Sequence, residues 1–330
     1  MPISLRRGTV TAIVERHDGL VRLEVDERPC VAYPALTGPV ALGDDVLVND
    51  QSVELGLGTG GFDVLHANLT RGLELPADRG AHVMKLPYTP LQHAVPHEEE
   101  SWPEDPVSDL AGLPVVCCSL HSQVAPACAG LGREVRVAYV QLPGGALPVS
   151  LSDTVRGLCS DGYLQTTVAV GPCVAGEVAC VSTASALLMC AAARFDAVVC
   201  AIGPGIVGTG SRFGHGAMAA AEAANAACAL GGSPVLAPRV STADERERHR
   251  GLSHHTLAVL ELVQGAVPVA WPAGLDVPAD LGAVEMVDTS SWRTDCEGLP
   301  LSHMGRGPEH EPWFFAAAYA AGALARTLAR

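Results

Sequence analysis

The sequence predicts an α/β protein built in two parts. From residue 113 onward, short apolar runs alternate with longer segments of helical length. Strands that are apolar throughout, each followed by a helix, are typical of a parallel sheet covered on both faces. Ahead of them, residues 6–70 contain short alternating segments separated by glycine and aspartate turns. We therefore expect a Rossmann-like three-layer parallel sheet preceded by a small all-β, barrel-like domain.

The expected domain boundaries follow changes in composition. Residues 1–70 are expected to form the β-barrel-like domain, and residues 113–330 the α/β domain. Residues 71–112, rich in proline and charge, are expected to form an inter-domain linker. Within that linker, the segment 82–92 (HVMKLPYTPLQ) does not have a linker-like composition.

The elements of each domain are predicted from hydrophobic periodicity. In the β-domain, strands are expected at 8–14, 20–25, 30–34 and 43–49. In the α/β domain, strands are expected at Pro114–Cys118, Glu134–Val140, Gln165–Val170, Asp196–Ile202, Ser233–Arg239 and Val267–Trp271. Helices are expected at Ser122–Ala129, Ser152–Cys159, Glu177–Ala193, His215–Leu230, Ser253–Val263 and Glu311–Leu328.

Charge and hydropathy exclude several classes of partner. The formal net charge is −15, which argues against nucleic acid or an anionic membrane surface, since both select basic patches. The longest apolar run, Val178–Ala193, is too short to cross a bilayer and is expected to be a buried helix. The first residues lack the apolar core of a signal peptide. We expect a soluble, cytoplasmic protein, and the pattern leaves homo-oligomer formation open.

Two residue types have unusual counts. Eleven cysteines occur without a Cys-x-x-Cys pair, and several lie inside apolar runs. We expect these to be reduced structural thiols rather than zinc ligands or disulfides. Lys85 is the one lysine among 21 basic residues. It is either a chance survivor in an arginine-rich chain or a functional amine that pairs with phosphate or transfers a proton.

A glycine-rich run, 203–210 (GPGIVGTG), follows the predicted strand Asp196–Ile202. It matches neither the Rossmann fingerprint nor a P-loop. It is either a structural turn or a ligand-binding loop, since glycines allow close approach of a ligand and free amides can bind an anion. The ligand-binding interpretation assigns Gly203, Gly205, Gly208, Thr209 and Gly210 to the site.

The densest group of reactive side chains is the segment 244–256, which follows the predicted strand Ser233–Arg239. Ser253 suits the N-cap of the next helix, and the helix amino terminus favours neutral imidazole at His254 and His255. These residues, with Ser253 and Lys85, are the candidate catalytic groups. Adjacent helical residues point about 100° apart, so we do not expect both histidines to ligate one metal unless the turn is irregular.

The same segment supplies candidate ligand-binding and metal-binding groups. Arg246, Arg248 and Arg250 are candidates for holding a phosphate or a carboxylate. The candidate metal ligands are His249, His254, Asp244 and Glu177. Three interpretations stay open for the segment: a solvated charged loop, an anion-binding or acid–base site, and a metal site.

Further candidates lie at other predicted strand and helix ends. His121 follows the predicted strand Pro114–Cys118 and is either structural or a ligand-binding residue. Asp153 and Glu177 are placed at helix starts, where the helix dipole alone favours acidic residues. Because ligands of open α/β sheets bind at the carboxyl edge, we expect His121, the glycine run and the 244–256 segment to lie at that edge.

Four segments together resemble an uncharacterised bacterial family known only as a domain of unknown function. They are 82–92, 203–210, 246–256 (RERHRGLSHHT) and 304–307 (MGRG), and the resemblance runs nearly the full length. The resemblance implies no established activity. The chain differs from the family pattern at Pro143, where an aspartate is expected, and near Glu177, where a Gly-Gly-acid pattern is expected.

These observations favour an enzyme, a hydrolase or a group transferase, that acts on a small anionic metabolite, phosphorylated or nucleotide-like. A divalent metal is its candidate cofactor. The alternatives are a non-enzymatic ligand-binding or sensing protein whose β-domain contacts a partner, and a purely structural assembly protein. Removing the imidazoles separates the first two: it abolishes turnover in an enzyme and only weakens binding in a sensor.

Overall fold

A computed structural model describes residues 3–57, 60–76, 78–103, 107–279 and 281–329. The chain divides into two compact units, Met1–Pro96 and His97–Arg330. The boundaries expected at residues 70 and 112 stay a prediction, and part of the predicted linker (77 and 104–106) lies outside the described residues.

The first unit contains a closed five-stranded barrel, as the alternating pattern predicted. Its strands are β1 (Leu5–His17), β2 (Leu20–Val25), β3 (Arg28–Ala32), β4 (Asp45–Asn49) and β5 (Asp63–Asn68), in the order β1-β2-β3-β5-β4. Two short helices, α1 (Pro34–Thr37) and α2 (Gln51–Glu54), lie in the connections. Pairing of β1 with β4 closes the barrel, and apolar side chains such as Val10, Leu23 and Val48 fill it.

The segment predicted to be unlike a linker contains secondary structure. β6 (Val83–Lys85) pairs antiparallel with β7 (His93–Val95) in the first unit. Lys85 is the last residue of β6 and is only 2% exposed. Burial of the one lysine is unusual, because an ammonium group loses much of its hydration free energy there.

The second unit contains the predicted parallel sheet. Its eight strands are β8 (Pro114–Cys118), β9 (Val137–Leu142), β10 (Thr166–Val170), β11 (Val178–Cys180), β12 (Ala197–Ile202), β13 (Ser233–Ala237), β16 (Val269–Pro272) and β17 (Val284–Val287). Their order is β11-β10-β9-β12-β8-β13-β16-β17, with every pair parallel. A separate short pair joins β14 (Val240–Ser241) to β15 (Gly251–Leu252).

Helices cover both faces of this sheet and complete the three layers. They are α3 (Val124–Leu131), α4 (Asp153–Ser160), α5 (Thr183–Ala192), α6 (Ala219–Ala229), α7 (His254–Leu262), α8 (Trp292–Asp295) and α9 (Pro312–Leu328). The apolar residues of α5, α6 and α7 pack on one face, and those of α3, α4 and α9 pack on the other. The predicted Rossmann-like α/β class is therefore confirmed.

Alanine and glycine allow the helices to pack closely in a chain with few aromatic residues. At the α3–α9 contact, a Cβ on Gly130 would lie 2.3 Å from the Tyr319 carbonyl oxygen, and one on Gly322 would lie 1.9 Å from that of Ala127. Backbones this close exclude any larger residue at these two positions.

One predicted helix is wrong at its start. Residues 177–193 were expected to form one helix, but Val178–Cys180 form β11, the sheet's edge strand, and the helix begins at Thr183. An apolar run does not distinguish a buried strand from a buried helix. Glu177 therefore precedes a strand, and it does not cap a helix. The decisive local signal is Ser182, whose side chain accepts from the Ser185 amide and caps α5.

Strands β5 and β17 of the two main sheets were not predicted, and each is only partly buried. The short pairs β6–β7 and β14–β15 were not predicted either. The predicted cap of α4 is present, because the Ser152 hydroxyl accepts from the Val155 amide. All eleven cysteines are free, and nine of them are buried. In the part of the chain that is described, no helix is both long and apolar enough to cross a bilayer.

Candidate functional site

Three loops meet at the carboxyl edge of the parallel sheet. They follow β12, β8 and β13, which are neighbouring strands in the sheet. These are the loops that carry the glycine run, His121 and the 244–256 segment. The glycine run and the 244–256 segment were expected to meet, and His215 connects them. This residue pairs with Gly208 in an isolated bridge and stacks on His255, with ring centroids 3.9 Å apart.

Four imidazoles form what we call the histidine cluster: His215, His249, His254 and His255. The His254 and His255 rings have centroids 4.5 Å apart, and each lies 4.8 Å from the His249 ring. Adjacent helical residues were expected to diverge. These two converge because His254 is the first residue of α7, where no preceding turn restricts its side chain. The cluster thus joins three elements: the start of α7, the 3-10 turn Glu247–His249, and the loop before α6.

The tautomer of His215 follows from its surroundings. Its Nε2 lies 3.0 Å from the Arg212 carbonyl oxygen, which can only accept a hydrogen bond. Nε2 therefore carries the proton and Nδ1 carries a lone pair. Within the described residues that Nδ1 is buried without a hydrogen-bond partner, as is Nε2 of His254. His215 itself is 7% exposed. An unsatisfied buried nitrogen usually indicates a missing ion, water or ligand.

The other two histidines of the cluster have protein partners. His249 Nδ1 lies 2.7 Å from the Ser253 hydroxyl, which also accepts from the His255 amide and caps α7. His255 Nδ1 lies 3.2 Å from the Arg239 guanidinium and accepts from it. Ser253 is 0% exposed, and its hydroxyl both caps α7 and contacts His249; its catalytic role stays a prediction.

The histidine cluster is held in the neutral form. Burial, and then the charge of neighbouring arginines and histidines, lowers the pKa of His249 to about 3 and that of His255 to about 2. Burial also lowers the pKa of His215 and of His254. Neutral imidazoles carry the lone pairs that proton acceptance and metal ligation both require.

A buried ionic network lies beside the cluster. Arg239, Arg246 and Arg306 approach the Asp244 carboxylate at 3.2, 2.8 and 3.6 Å. Arg306 also pairs with the fully buried Glu311, at 2.7 Å. Three guanidinium groups therefore face two carboxylates, which leaves a net positive charge. Hydrogen bonds and charge from Arg246 outweigh burial and hold the pKa of Asp244 well below its usual range, so Asp244 is ionised.

The residues of the 244–256 segment that were predicted to bind a metal or an anion differ in whether they already have a protein partner. Asp244, a candidate metal ligand, is saturated by arginines. Arg246 is bound to it, and Arg250 makes a long 3.5 Å contact with the Glu245 carbonyl oxygen. Arg248 is exposed and makes no ion pair or hydrogen bond among the described residues. It lies 3.9 Å from the position of a Cβ on Gly210, and its charge is one of those that lower the pKa of His254.

Some glycines of the run lie against neighbouring backbone, and others have free space around them. A Cβ on Gly203 would lie 2.0 Å from the Ala146 carbonyl oxygen, and one on Gly208 would lie 2.8 Å from the His215 Cβ. These two glycines therefore allow backbone segments to pack closely. Gly205 has a φ of +70° and open space around it. The Thr209 hydroxyl bonds to Ser211 and to the Gly214 carbonyl oxygen. Gly210 is the member that faces an unpaired arginine.

Two predicted residues lie elsewhere. Glu177 precedes β11 and accepts a hydrogen bond from Thr166 at the start of β10, so it lies at the amino edge of the sheet, opposite the histidine cluster. Lys85 belongs to the first unit; its catalytic role stays a prediction. The amino edge also contains a groove of about 510 Å³ lined by 107, 109–114, 191 and 194–196. Its lining is mostly apolar and brings no group of imidazoles or arginines together.

His121 lies at the carboxyl edge with both ring nitrogens satisfied. Nδ1 is 3.3 Å from the Ile202 carbonyl oxygen, and Nε2 is 2.7 Å from the Ser152 hydroxyl. Its surroundings lower the pKa to about 4, mainly through burial, although part of the ring reaches the surface. His121 thus ties the end of β12 to the cap of α4.

Sequence reasoning did not assign His215, Arg239 or Glu311 to the site, and it left open whether Arg306 lies near a ligand or in a plain loop. His215 comes five residues after the glycine run, at the predicted start of a helix. Its position shortly after the glycine run was the sequence signal that could have assigned His215 to the site. Nothing in the sequence predicts the pairing of Arg306 with Asp244, because it depends on the packing of the last loop.

The fold and this edge define a Rossmann-like α/β protein whose histidines and arginines gather at the carboxyl ends of three neighbouring strands. The chain belongs to a family of proteins of unknown function, DUF3866, whose family model matches residues 29–322. No match is found among curated proteins. Membership in a family of unknown function, expected from the four motifs, is confirmed, and that description names no activity.

Proposed function

We propose that this protein is an enzyme that hydrolyses a small anionic metabolite, or transfers a group from it, at the histidine cluster. A phosphorylated metabolite is the substrate class we favour. The observation that carries the proposal is the pair of unsatisfied nitrogens, His215 Nδ1 and His254 Nε2, beside an arginine network with excess positive charge.

The cluster is suited to accept a proton. The His215 Nδ1 lone pair is fixed because Nε2–H donates to the Arg212 carbonyl oxygen. A neutral, oriented imidazole is the usual general base for activating water or a hydroxyl group. In hydrolysis, water would give its proton to this nitrogen as its oxygen bonds to the electrophilic centre. The leaving group would depart with the bonding pair and take up a proton.

The neighbouring charges are suited to hold an anion. Arg248 has no partner among the described residues, and it lies near both Gly210 and His254. Guanidinium groups bind phosphate and carboxylate through paired N–H donors. An anion held by Arg248 would therefore lie near His254, one of the imidazoles of the histidine cluster. Such local positive charge is compatible with an acidic protein of net charge −15.

The first test is a thermal-shift screen of the full chain against inorganic phosphate, sugar phosphates and nucleoside phosphates. A ligand at 100 times its Kd adds about 2.7 kcal/mol of stability, enough to measure. We expect a hit that Arg248→Ala removes. The matched control is Arg133→Ala, which changes an exposed arginine in the loop before β9, at the opposite edge. Loss of binding in both variants, or in neither, contradicts the proposed anion site.

Turnover then separates an enzyme from a sensor. Release of phosphate or of the leaving group from the hit compound should occur in the wild type and be lost in His215→Ala and His254→Ala. Binding without turnover in the wild type overturns the enzyme proposal and supports the ligand-binding alternative. The absence of any hit in a well-folded sample overturns both.

A further inference from the structure

We propose that His215, His254 and His255 form a binding site for a divalent first-row transition metal, with zinc the favoured ion. Each of the three offers one ring nitrogen, and these nitrogens all lie within 4.8 Å of one another. They come from two separate loops that follow different strands of the sheet. This ligand set differs from the one expected from the sequence, which contained neither His215 nor His255.

The hydrogen bonding of His215 is that of a metal ligand. In metal sites, a ligating histidine donates its other ring N–H to a carbonyl or a carboxylate, which fixes the tautomer and aims the free lone pair. His215 donates Nε2–H to the Arg212 carbonyl oxygen at 3.0 Å, and its Nδ1 is left buried without a partner in the described structure. Arg212 is in turn ion-paired with Glu261 on α7, so the loop bearing this carbonyl is tied to the helix that carries the other two ligands.

The second ligand, His254, also has an unsatisfied ring nitrogen. Its Nε2 is buried with no partner among the described residues, and its ring lies 5.5 Å from that of His215 in an edge-on arrangement. Two buried nitrogens lacking hydrogen-bond partners within one cluster are an independent indication of a ligand, since native proteins leave few such atoms unpaired.

The chemistry of the donors selects the metal. The three ligands are imidazoles, which suit zinc, cobalt, nickel and copper, whereas magnesium and calcium prefer oxygen ligands. Asp244, a carboxylate of the adjoining ionic network, is already paired with three arginines. Three histidine ligands also leave a fourth position of a zinc tetrahedron open for water, the arrangement of catalytic rather than structural zinc sites.

Binding requires a small rearrangement. Tetrahedral zinc holds nitrogens at about 2.0–2.1 Å, so ligand atoms lie roughly 3.3 Å apart. The three nitrogens must therefore close from their present limit of 4.8 Å, and the stacked His215–His255 pair must open. Arg239 competes for His255, since it donates to Nδ1 at 3.2 Å. A dication at the cluster repels this guanidinium, which remains paired with Asp244.

The metal site does not depend on the proposed function. Zinc binding is measurable without any substrate, and a sensor could bind the metal as well as an enzyme. With zinc bound, His215 Nδ1 has no lone pair left to accept a proton, so the two proposals are compatible only if the reacting water is held at the open position of the metal. Zinc lowers the pKa of such a water to about 7.

The test is zinc titration of the chelator-treated full chain by calorimetry. We expect one equivalent with a micromolar or tighter Kd, and a loss of affinity of at least about tenfold in each of His215→Ala, His254→Ala and His255→Ala. His310→Ala is the matched control, because His310 is exposed and lies outside the cluster; it should bind like the wild type. Magnesium should give no heat at this site.

Two results overturn the inference. One is wild-type zinc affinity in all three cluster variants, which would place the metal elsewhere, for example at cysteines. The other is the absence of stoichiometric binding by the folded wild type. If the variants do not fold, the wild type with Co²⁺ decides. Visible bands of tetrahedral cobalt without a thiolate charge-transfer band support the site, and thiolate bands or no tetrahedral bands contradict it.

Discussion

His121 and His215 lie at the same edge of the same sheet, yet their surroundings differ in one decisive respect. His121 is partly buried, and both of its ring nitrogens bond to the protein. His215 is more deeply buried, at 7% exposure, and its Nδ1 has no partner in the described residues. Burial lowers the pKa of both. A lowered pKa therefore does not distinguish a structural histidine from a candidate ligand, whereas hydrogen-bond satisfaction does.

The largest expected effect concerns the ionic network that supports the histidine cluster. Asp244→Asn should lower the free energy of unfolding by roughly 3–5 kcal/mol, because the buried Arg239 loses its counter-charge. Chemical denaturation measures this. Glu309→Gln, which changes an exposed partner of Arg293, should have little effect. Equal losses of stability in the two variants would show that the ionic network does not stabilise the protein more than an exposed ion pair does.

We expect His121→Ala and His215→Ala to lower the free energy of unfolding by different amounts. His121→Ala should cost about 2–4 kcal/mol, because it leaves the Ile202 carbonyl without its partner and opens a cavity. His215→Ala should cost less, since one nitrogen of that ring is already unsatisfied. His121→Ala should leave zinc binding unchanged. Equal losses of stability in the two variants, or zinc binding that depends on His121, would contradict the distinction between these two histidines.

A smaller effect is expected in the pH dependence of stability. The pKa of His121 is lowered to about 4 in the folded chain, against about 6.5 for an ordinary histidine. Above pH 6.5 this residue is neutral in both states and adds no pH dependence. As pH falls from 6.5 toward 4, the unfolded chain takes up a proton that the folded chain does not. Stability is then lost at up to about 1.4 kcal/mol per pH unit.

Denaturation between pH 7 and pH 5 measures this loss. His121→Ala should show a shallower slope than the wild type, while His310→Ala should match it. A slope that is the same in all three proteins would show that His121 is not held neutral by its surroundings.

The smallest expected effect concerns Ser253, which caps a helix and also contacts the histidine cluster. Ser253→Ala should cost about 1 kcal/mol through loss of the α7 cap. Ser182→Ala, which removes the cap of α5, should cost a similar amount. Only Ser253→Ala should also weaken zinc binding, because Ser253 positions His249 and the start of α7. Equal zinc affinity in the two variants would show that this serine has no role beyond capping.

The sequence predicts most of the fold because its strands are short, apolar and followed by helices. It fails at 177–182, where an apolar run hides the boundary between β11 and α5. For the site, the periodic pattern places the loops at one edge and the local motif identifies His254 and His255. It does not reveal the role of His215 or the pairing of Arg306 with Asp244, since both arise from contacts between loops distant in sequence. Nor does it separate Gly203, which permits close backbone packing, from Gly210.

The most direct test of the central claim is anomalous diffraction at the zinc edge from crystals of the full chain soaked in zinc. We expect a peak within bonding distance of His215 Nδ1 and of ring nitrogens of His254 and His255, with the stacked pair opened. A map with no peak at the histidine cluster, or with full-occupancy zinc only at cysteines or surface carboxylates, would contradict that claim.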